Sequence, residues 1–356
     1  MSRDKAHIST KQAVTDLSSA LDCIQISQGS RNNMRKAPTG SFGPTGSVGS
    51  TSSGKSSLQR FKQPERLRQV LSARPSSPVA PQENTGHVGD TEGVRKLREI
   101  FSGSKFIEGF TLISHRSAPN GFKVAIVLSE LGYKYDTILL DFANGDQKSP
   151  EFLSINPNGR VPALIDHTNP EQPVTLWESG AIILYLVEKK SREEEVCPSI
   201  WAESLVEQSQ IMSWLFFQTS GHSPMIGQAL HFKYFHTISI PSAIERYTDE
   251  VRRVYGVLEV ALSEKREALI MELDRENADS YSAGLTPMSH SRYFDTPVWL
   301  VGERATVADL CFVTWNYVVD RIGIDLKAEF PEVYKWTKHM MGRPAVMHAL
   351  KWSGDQ

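Results

Sequence analysis

Residues 110–131 read FTLISHRSAPNGFKVAIVLSEL, and the fold is decided in this stretch. The apolar run at 110–114 predicts a strand, HRSAPNG breaks it, and residues 122–131 return apolar side chains at helical spacing. A second strand is predicted at 135–140, ahead of a polar loop at 144–149. Further on, NPNGRVPALID leads into a β-like segment at 163–166, a turn at 169–173, a strand at 174–177 and a helix at 179–189. The order is βαβ, then a connection, then ββα.

After Cys197 the patterns are all helical. They run through IWAESLVEQSQIMSWLFFQ, a long amphipathic stretch near 242–273, VADLCFVTWNYVVDRI and PEVYKWTKHMM. An all-helical domain is therefore expected over 193–356, a normal size for one core. Thr306 and Asp309 form an S/T-x-x-D arrangement, read as helix-start chemistry without a functional role. Trp201, Trp214, Trp299, Trp315 and Trp336 fall in helical or packed segments and are read as core.

Residues 1–105 differ in composition, being rich in Ser, Gly, Pro, Asn and Gln, and a disordered regulatory tail is expected there. Within it Val14, Leu17, Leu21 and Ile24 recur at helical spacing, which reads either as a transient amphipathic turn or as a motif that folds on a partner. The whole chain has 356 residues, with 39 Lys and Arg against 41 Asp and Glu. That near-neutral balance gives no basic field for direct nucleic-acid binding. Cys23, Cys197 and Cys311 lie too far apart for a CxxC motif, and the histidines show no metal-ligand spacing, so no metal is expected. The N-terminal residues mix charged and polar types, and no segment reaches the roughly 20 apolar residues of a membrane span, so a cytoplasmic protein is expected.

A βαβ–ββα unit with a Val-Pro dipeptide before a strand, followed by helices with a capping box, resembles the glutathione transferase fold. A narrower resemblance rests on SHRSAPNGFKVAIVLSELG, VPALIDH, LWESGAI, WLFFQTSGH, PMIGQALHF, ERYTDEVRRVYGV, FPEVYKWTKHMM and RPAV. These strings are similar to the fungal nitrogen catabolite repression regulators of that family, over about 106–350. The resemblance implies a thioredoxin-like glutathione-binding domain at 106–192, before the helical domain. It also implies that 263–297 is an insertion described in the family as a flexible cap. The tail departs from the yeast relative in lacking long Asn or Gln runs, so prion-like aggregation is not expected.

The resemblance also assigns candidate residues for glutathione. Asn120, at the expected cap of the first helix, either caps that helix or donates to the glutathione sulfur, and in the second role it is catalytic. Related transferases place a hydroxyl or thiol two residues earlier, where this chain has Ala118, which argues against ordinary conjugation. Val161, before Pro162, is expected to present its backbone to the cysteinyl unit across a cis peptide. Glu178 and Ser179 are expected to hold the γ-glutamyl ammonium and carboxylate. Arg160 is either a partner of the glycyl carboxylate or a solvated charge, and Gln147 stands where the yeast relative carries a contacting histidine. Trp214, Phe217 and His222 lie on a face that is either core or the border of the cosubstrate pocket.

Two functions from different classes follow from the resemblance. One is a cytoplasmic negative regulator that binds a GATA-type zinc-finger activator, forms a homodimer and keeps glutathione-dependent peroxidase activity. The other is a glutathione-dependent peroxidase, disulfide reductase or transferase without a regulatory role.

Overall fold

The computed structural model describes residues 91–103, 107–284 and 296–351. The expected tail up to residue 90, including the apolar island at 14–28, lies outside the described residues, as does 285–295 of the expected insertion. The first described element corrects the tail reading. Residues Glu92–Phe101 form a helix, α1, capped by the Thr91 hydroxyl, with Val94 and Leu97 buried. Composition alone hid it, because only about two helical turns of apolar spacing follow a long polar tract. Gly93 permits its docking, since a Cβ there would lie 2.7 Å from the Leu139 carbonyl oxygen.

The sheet follows the expected order. Strand β1 (Phe110–Ser114) leads to α2 (Pro119–Glu130) and β2 (Tyr135–Leu139). A 3-10 turn at Asp146–Lys148 and the short helix α3 (Pro150–Ile155) connect to β3 (Ala163–Asp166), β4 (Val174–Trp177) and α4 (Ser179–Glu194). The strand order is β2-β1-β3-β4, with β1 parallel to β2 and antiparallel to β3, and β3 antiparallel to β4. All five residues of β1 are buried, as a central strand covered on both faces requires. Phe110, Leu112 and Leu164 point into a core shared with α2, α4 and the helical domain. Ile113, Ala163 and Ile165 point to the opposite side, with Leu97, Phe152 and Ile155.

The C-terminal helices are α5 (Leu205–Phe217), α6 (Ser223–Leu230), α7 (Pro241–Glu276) and α8 (Ala278–Ser282). They are followed by α9 (Val307–Asn316), α10 (Leu326–Glu329), α11 (Pro331–Met341) and α12 (Pro344–Lys351). A π-helical turn, Gln218–His222, joins α5 to α6. Helix α9 is buried at every position, and its start carries the expected capping box at Thr306 and Asp309.

The expected insertion is helical as far as Ser282, apart from the turn at Asn277. Helix α7 continues through Glu276, and its buried residues, from Thr248 through Val251, Tyr255, Leu258 and Leu262, end at Arg266. Arg266 is itself buried, pairs with Glu332 of α11 at 3.1 Å, and donates to the Thr296 carbonyl. One guanidinium therefore ties the outgoing helix and the returning chain to the core. Among the described residues no helix is long and apolar enough to cross a membrane.

Candidate functional site at the domain junction

Three connections of the thioredoxin-like half and the facing helices enclose a cavity of about 290 Å³. Asn120 enters its wall from the first turn of α2. The loop after α3 contributes Asn156, Asn158, Arg160, Val161 and Pro162, and the β4–α4 junction contributes Glu178 and Ser179. Across from them stand Thr219, Ser223, Met225 and Gln228, with Tyr247 of α7 and Trp315 of α9.

Asn120 does not cap its helix. The N-cap is Ala118 and Pro119 takes the first helical position, where a missing N–H costs nothing. The Asn120 side chain turns instead to α9, its Oδ1 accepting from Trp315 Nε1 at 2.9 Å. An indole nitrogen only donates, so this contact fixes which end of the amide faces the tryptophan and leaves the NH2 end to donate elsewhere. Sequence reading gave Trp315 to the core. It is a buried member of that core, and it also lines the cavity and holds the Asn120 amide, a second role that no local signal in its helix marks. Gly121 allows this approach of α2 to the sheet, since a Cβ there would fall 1.9 Å from Ser114 Oγ. The hydroxyl of Ser117 in the same turn lies 3.0 Å from His115 Nδ1.

The loop bearing Arg160 and Val161 is braced from inside. Buried Asn156 donates its Nδ2 to the Arg160 carbonyl at 2.6 Å and accepts from Asn158 N at 2.9 Å. The Val161–Pro162 peptide is cis, as the sequence reading expected.

Glu178 is the N-cap of α4, with φ at 69°, and its side chain makes no capping hydrogen bond. A non-glycine residue in that region costs of order 1–3 kcal/mol and persists only where the surroundings impose it. The carboxylate is thus left at the mouth of a helix N-terminus, beside the buried Ser179. The amides of that first turn favour an anion.

Five of the expected residues, Asn120, Arg160, Val161, Glu178 and Ser179, therefore meet at one cavity. Gln147 does not join the wall. The 3-10 turn packs its main chain behind Gly159, and its side-chain oxygen is buried without a hydrogen-bond partner. His222 is buried in a polar chain, and Trp214 and Phe217 pack edge to face against each other on the core, so none of the three borders the cavity. Among the described residues no cluster of His, Cys, Asp and Glu is placed to hold a metal ion.

Comparison with known proteins finds matches across both halves of the described fold. The glutathione S-transferase N-terminal domain matches residues 108–188, and the C-terminal domain of the same family matches 222–344. Protein Ure2 of Candida maltosa is 72% identical over 244 residues, covering 68% of this chain and 74% of its own length. The transcriptional regulator Ure2 of Saccharomyces cerevisiae is 69% identical over 245 residues, covering 69% of this chain and 68% of its own. A solved structure of Ure2p in complex with glutathione superposes with a TM-score of 0.66 at 66% identity, covering 71% of this chain and 98% of that one.

Proposed function

The chain belongs to the Ure2 family of proteins with the glutathione transferase fold, and from that membership we propose that it is a cytoplasmic, glutathione-binding negative regulator of nitrogen catabolite genes. It retains a GATA-type zinc-finger activator and reduces hydroperoxides with glutathione.

The observation that carries the glutathione reading is the meeting of Asn120, Arg160, Val161, Glu178 and Ser179 on one cavity. Each fits a different part of the tripeptide. The Asn120 NH2 donates to the sulfur, and the Val161 backbone pairs with the cysteinyl unit. Glu178 receives the γ-glutamyl ammonium, while Ser179 and the first amides of α4 receive its carboxylate. Arg160 takes the glycyl carboxylate. Gln147 is given no contact, for it is not among the residues that line the cavity.

The peroxidase chemistry needs no protein thiol. Burial pushes the Cys311 thiol well up, and burial likewise raises that of Cys197. The bound glutathione thiolate attacks the terminal peroxide oxygen, the O–O bond breaks, and the alkoxide takes up the proton that the thiol released and leaves as the alcohol, with the glutathione sulfur left as a sulfenic acid. A second glutathione then displaces water from the sulfenic intermediate, giving the disulfide. Exposed apolar side chains on β4 and α5, namely Trp177, Leu205, Val206 and Phe216, support burial of this face in a homodimer.

Glu178 permits a prediction that separates binding from stability. Glu178→Gly removes the backbone cost at φ 69° together with the carboxylate. The expected outcome is an unfolding midpoint equal to or above wild type, with glutathione affinity lowered about tenfold or more. Calorimetric titration beside thermal unfolding checks both, and unchanged affinity would remove Glu178 from the ammonium site. The regulatory half is tested by capture. The immobilised full chain should retain a GATA-type activator from extracts of cells grown on a good nitrogen source. Failure to do so, with peroxide turnover intact, would leave an enzyme without a regulatory role.

A further inference from the structure

We propose that Lys123 is a positioning residue whose buried ammonium favours the ionised form of a thiol held at Asn120, an inference that rests on the glutathione reading above. Lys123 lies three residues after Asn120 on α2, so the two share a helix face. Its side chain is only 1% exposed, one of the largest fully buried in the chain. Burying an ammonium is expensive unless it is well partnered, and among the described residues it makes one hydrogen bond, to Gln218 Oε1 at 2.6 Å.

That bond opens a chain of buried polar groups. Gln218 Nε2 lies 3.3 Å from His222 Nδ1, His222 Nε2 lies 3.1 Å from the Tyr255 hydroxyl, and that hydroxyl donates to Asn316 Oδ1 at 2.8 Å. Asn316 Nδ2 then donates to Thr337 Oγ1 at 2.8 Å. The lysine fixes the direction throughout. Because Gln218 gives its oxygen to the ammonium, its NH2 must donate to His222 Nδ1, and the histidine proton must sit on Nε2. Every donor points away from Lys123 and every acceptor points back toward it. The chain is a row of aligned dipoles that solvates one cation in place of water.

The row runs beside the cavity wall. Thr219 follows Gln218, Ser223 follows His222 and Trp315 precedes Asn316, and these three neighbours all line the wall. The charged and titratable groups facing Lys123 come from three sides. They are Glu178 at the β4–α4 junction, Cys311 on α9 and His222 beyond Gln218. Burial pushes His222 down to about 3, with Lys123 adding to the effect, so the imidazole is neutral at working pH. Burial holds Cys311 as a thiol. Lys123 is itself pulled down to about 8 by burial, with the Glu178 carboxylate opposing, so at neutral pH it remains charged. A positive charge beside the Asn120 end of the cleft favours a thiolate there, as an adjacent cation does for cysteine thiols.

The test is the ionisation of bound glutathione, followed by thiolate absorbance near 240 nm as pH is raised, in the full chain and in Lys123→Met and Lys123→Gln. Methionine fills the space without charge, while glutamine can still pair with Gln218. A variant that fails to fold is recognised by its lost near-ultraviolet dichroism, and the other then decides. The expected result is a thiol pKa about one unit higher in the neutral variants, a tenfold smaller thiolate ratio, with glutathione affinity within about threefold of wild type. A lowered wild-type thiol pKa that both neutral variants retain overturns the role of Lys123 alone. A wild-type chain that binds glutathione but leaves its thiol at the solution pKa overturns the proposal itself, and one that binds no glutathione overturns the glutathione reading with it.

Discussion

In Asn120→Ala, glutathione-dependent reduction of a hydroperoxide falls on the order of 10²-fold, the usual cost of removing one preorganised donor from a developing anion. The assay couples turnover to NADPH consumption, and binding is measured alongside so that lost affinity is not mistaken for lost chemistry. The physical reason lies in the orientation of one amide. Trp315 Nε1 holds Asn120 Oδ1 at 2.9 Å, and on the proposed reading the NH2 end is left to donate to the sulfur. Trp315→Phe keeps the ring and removes the indole N–H, so the amide can rotate, and the expected loss is smaller, about tenfold. Wild-type turnover in Asn120→Ala would take that residue out of the sulfur site.

The largest expected effect on stability belongs to Asp309. Its Oδ1 accepts from Leu300 N at 2.9 Å and from Trp336 Nε1 at 3.0 Å, and its Oδ2 accepts from Thr306 N at 2.8 Å. The carboxylate thus caps α9, anchors the irregular segment that leads into it and holds the largest fully buried side chain in the core. Asp309→Ala leaves these donors buried without partners, and a loss of about 3–5 kcal/mol is expected from urea unfolding. A loss below about 1 kcal/mol would mean that the network contributes little.

Asp309 also gives the stability a pH dependence. Burial raises its folded-state value to about 6, against the opposing effect of its hydrogen bonds to Leu300, Thr306 and Trp336. A raised carboxyl binds a proton in the folded state that the unfolded chain has released. Its stabilising contribution is therefore full below about 4 and is lost as pH rises through about 6. The difference in unfolding free energy between wild type and Asp309→Asn, followed from pH 4 to pH 7, should decline with rising pH, and a flat difference would contradict the raised value.

Much of this molecule is written in short-range chemistry. The strands at 110–114, 163–166 and 174–177 and the capping box at Thr306 follow from alternation, β-formers and turn residues that need no distant partner. Resemblance then placed Asn120, Arg160, Val161, Glu178 and Ser179, because each stands in a connection whose local string carries the likeness. Helix α1 escaped, since its burial comes from Leu139 and the 3-10 turn, far along the chain. Gln147 does not line the cavity, and position in a loop does not say which way a 3-10 turn directs its side chain.

The sequence by itself determined the order of elements and the types of residue at each connection. The tertiary structure alone decided what those residues do to one another. Trp315 reaches Asn120 across 195 residues, and Lys123 finds Gln218 across 95. Within FKVAIVL a lysine looks like the polar edge of an apolar helix, and within FVTWNY a tryptophan looks like packing. The helical pattern fixes only the face on which a side chain lies, and its partner is set when two faces distant in the chain are pressed together by the burial of the core between them.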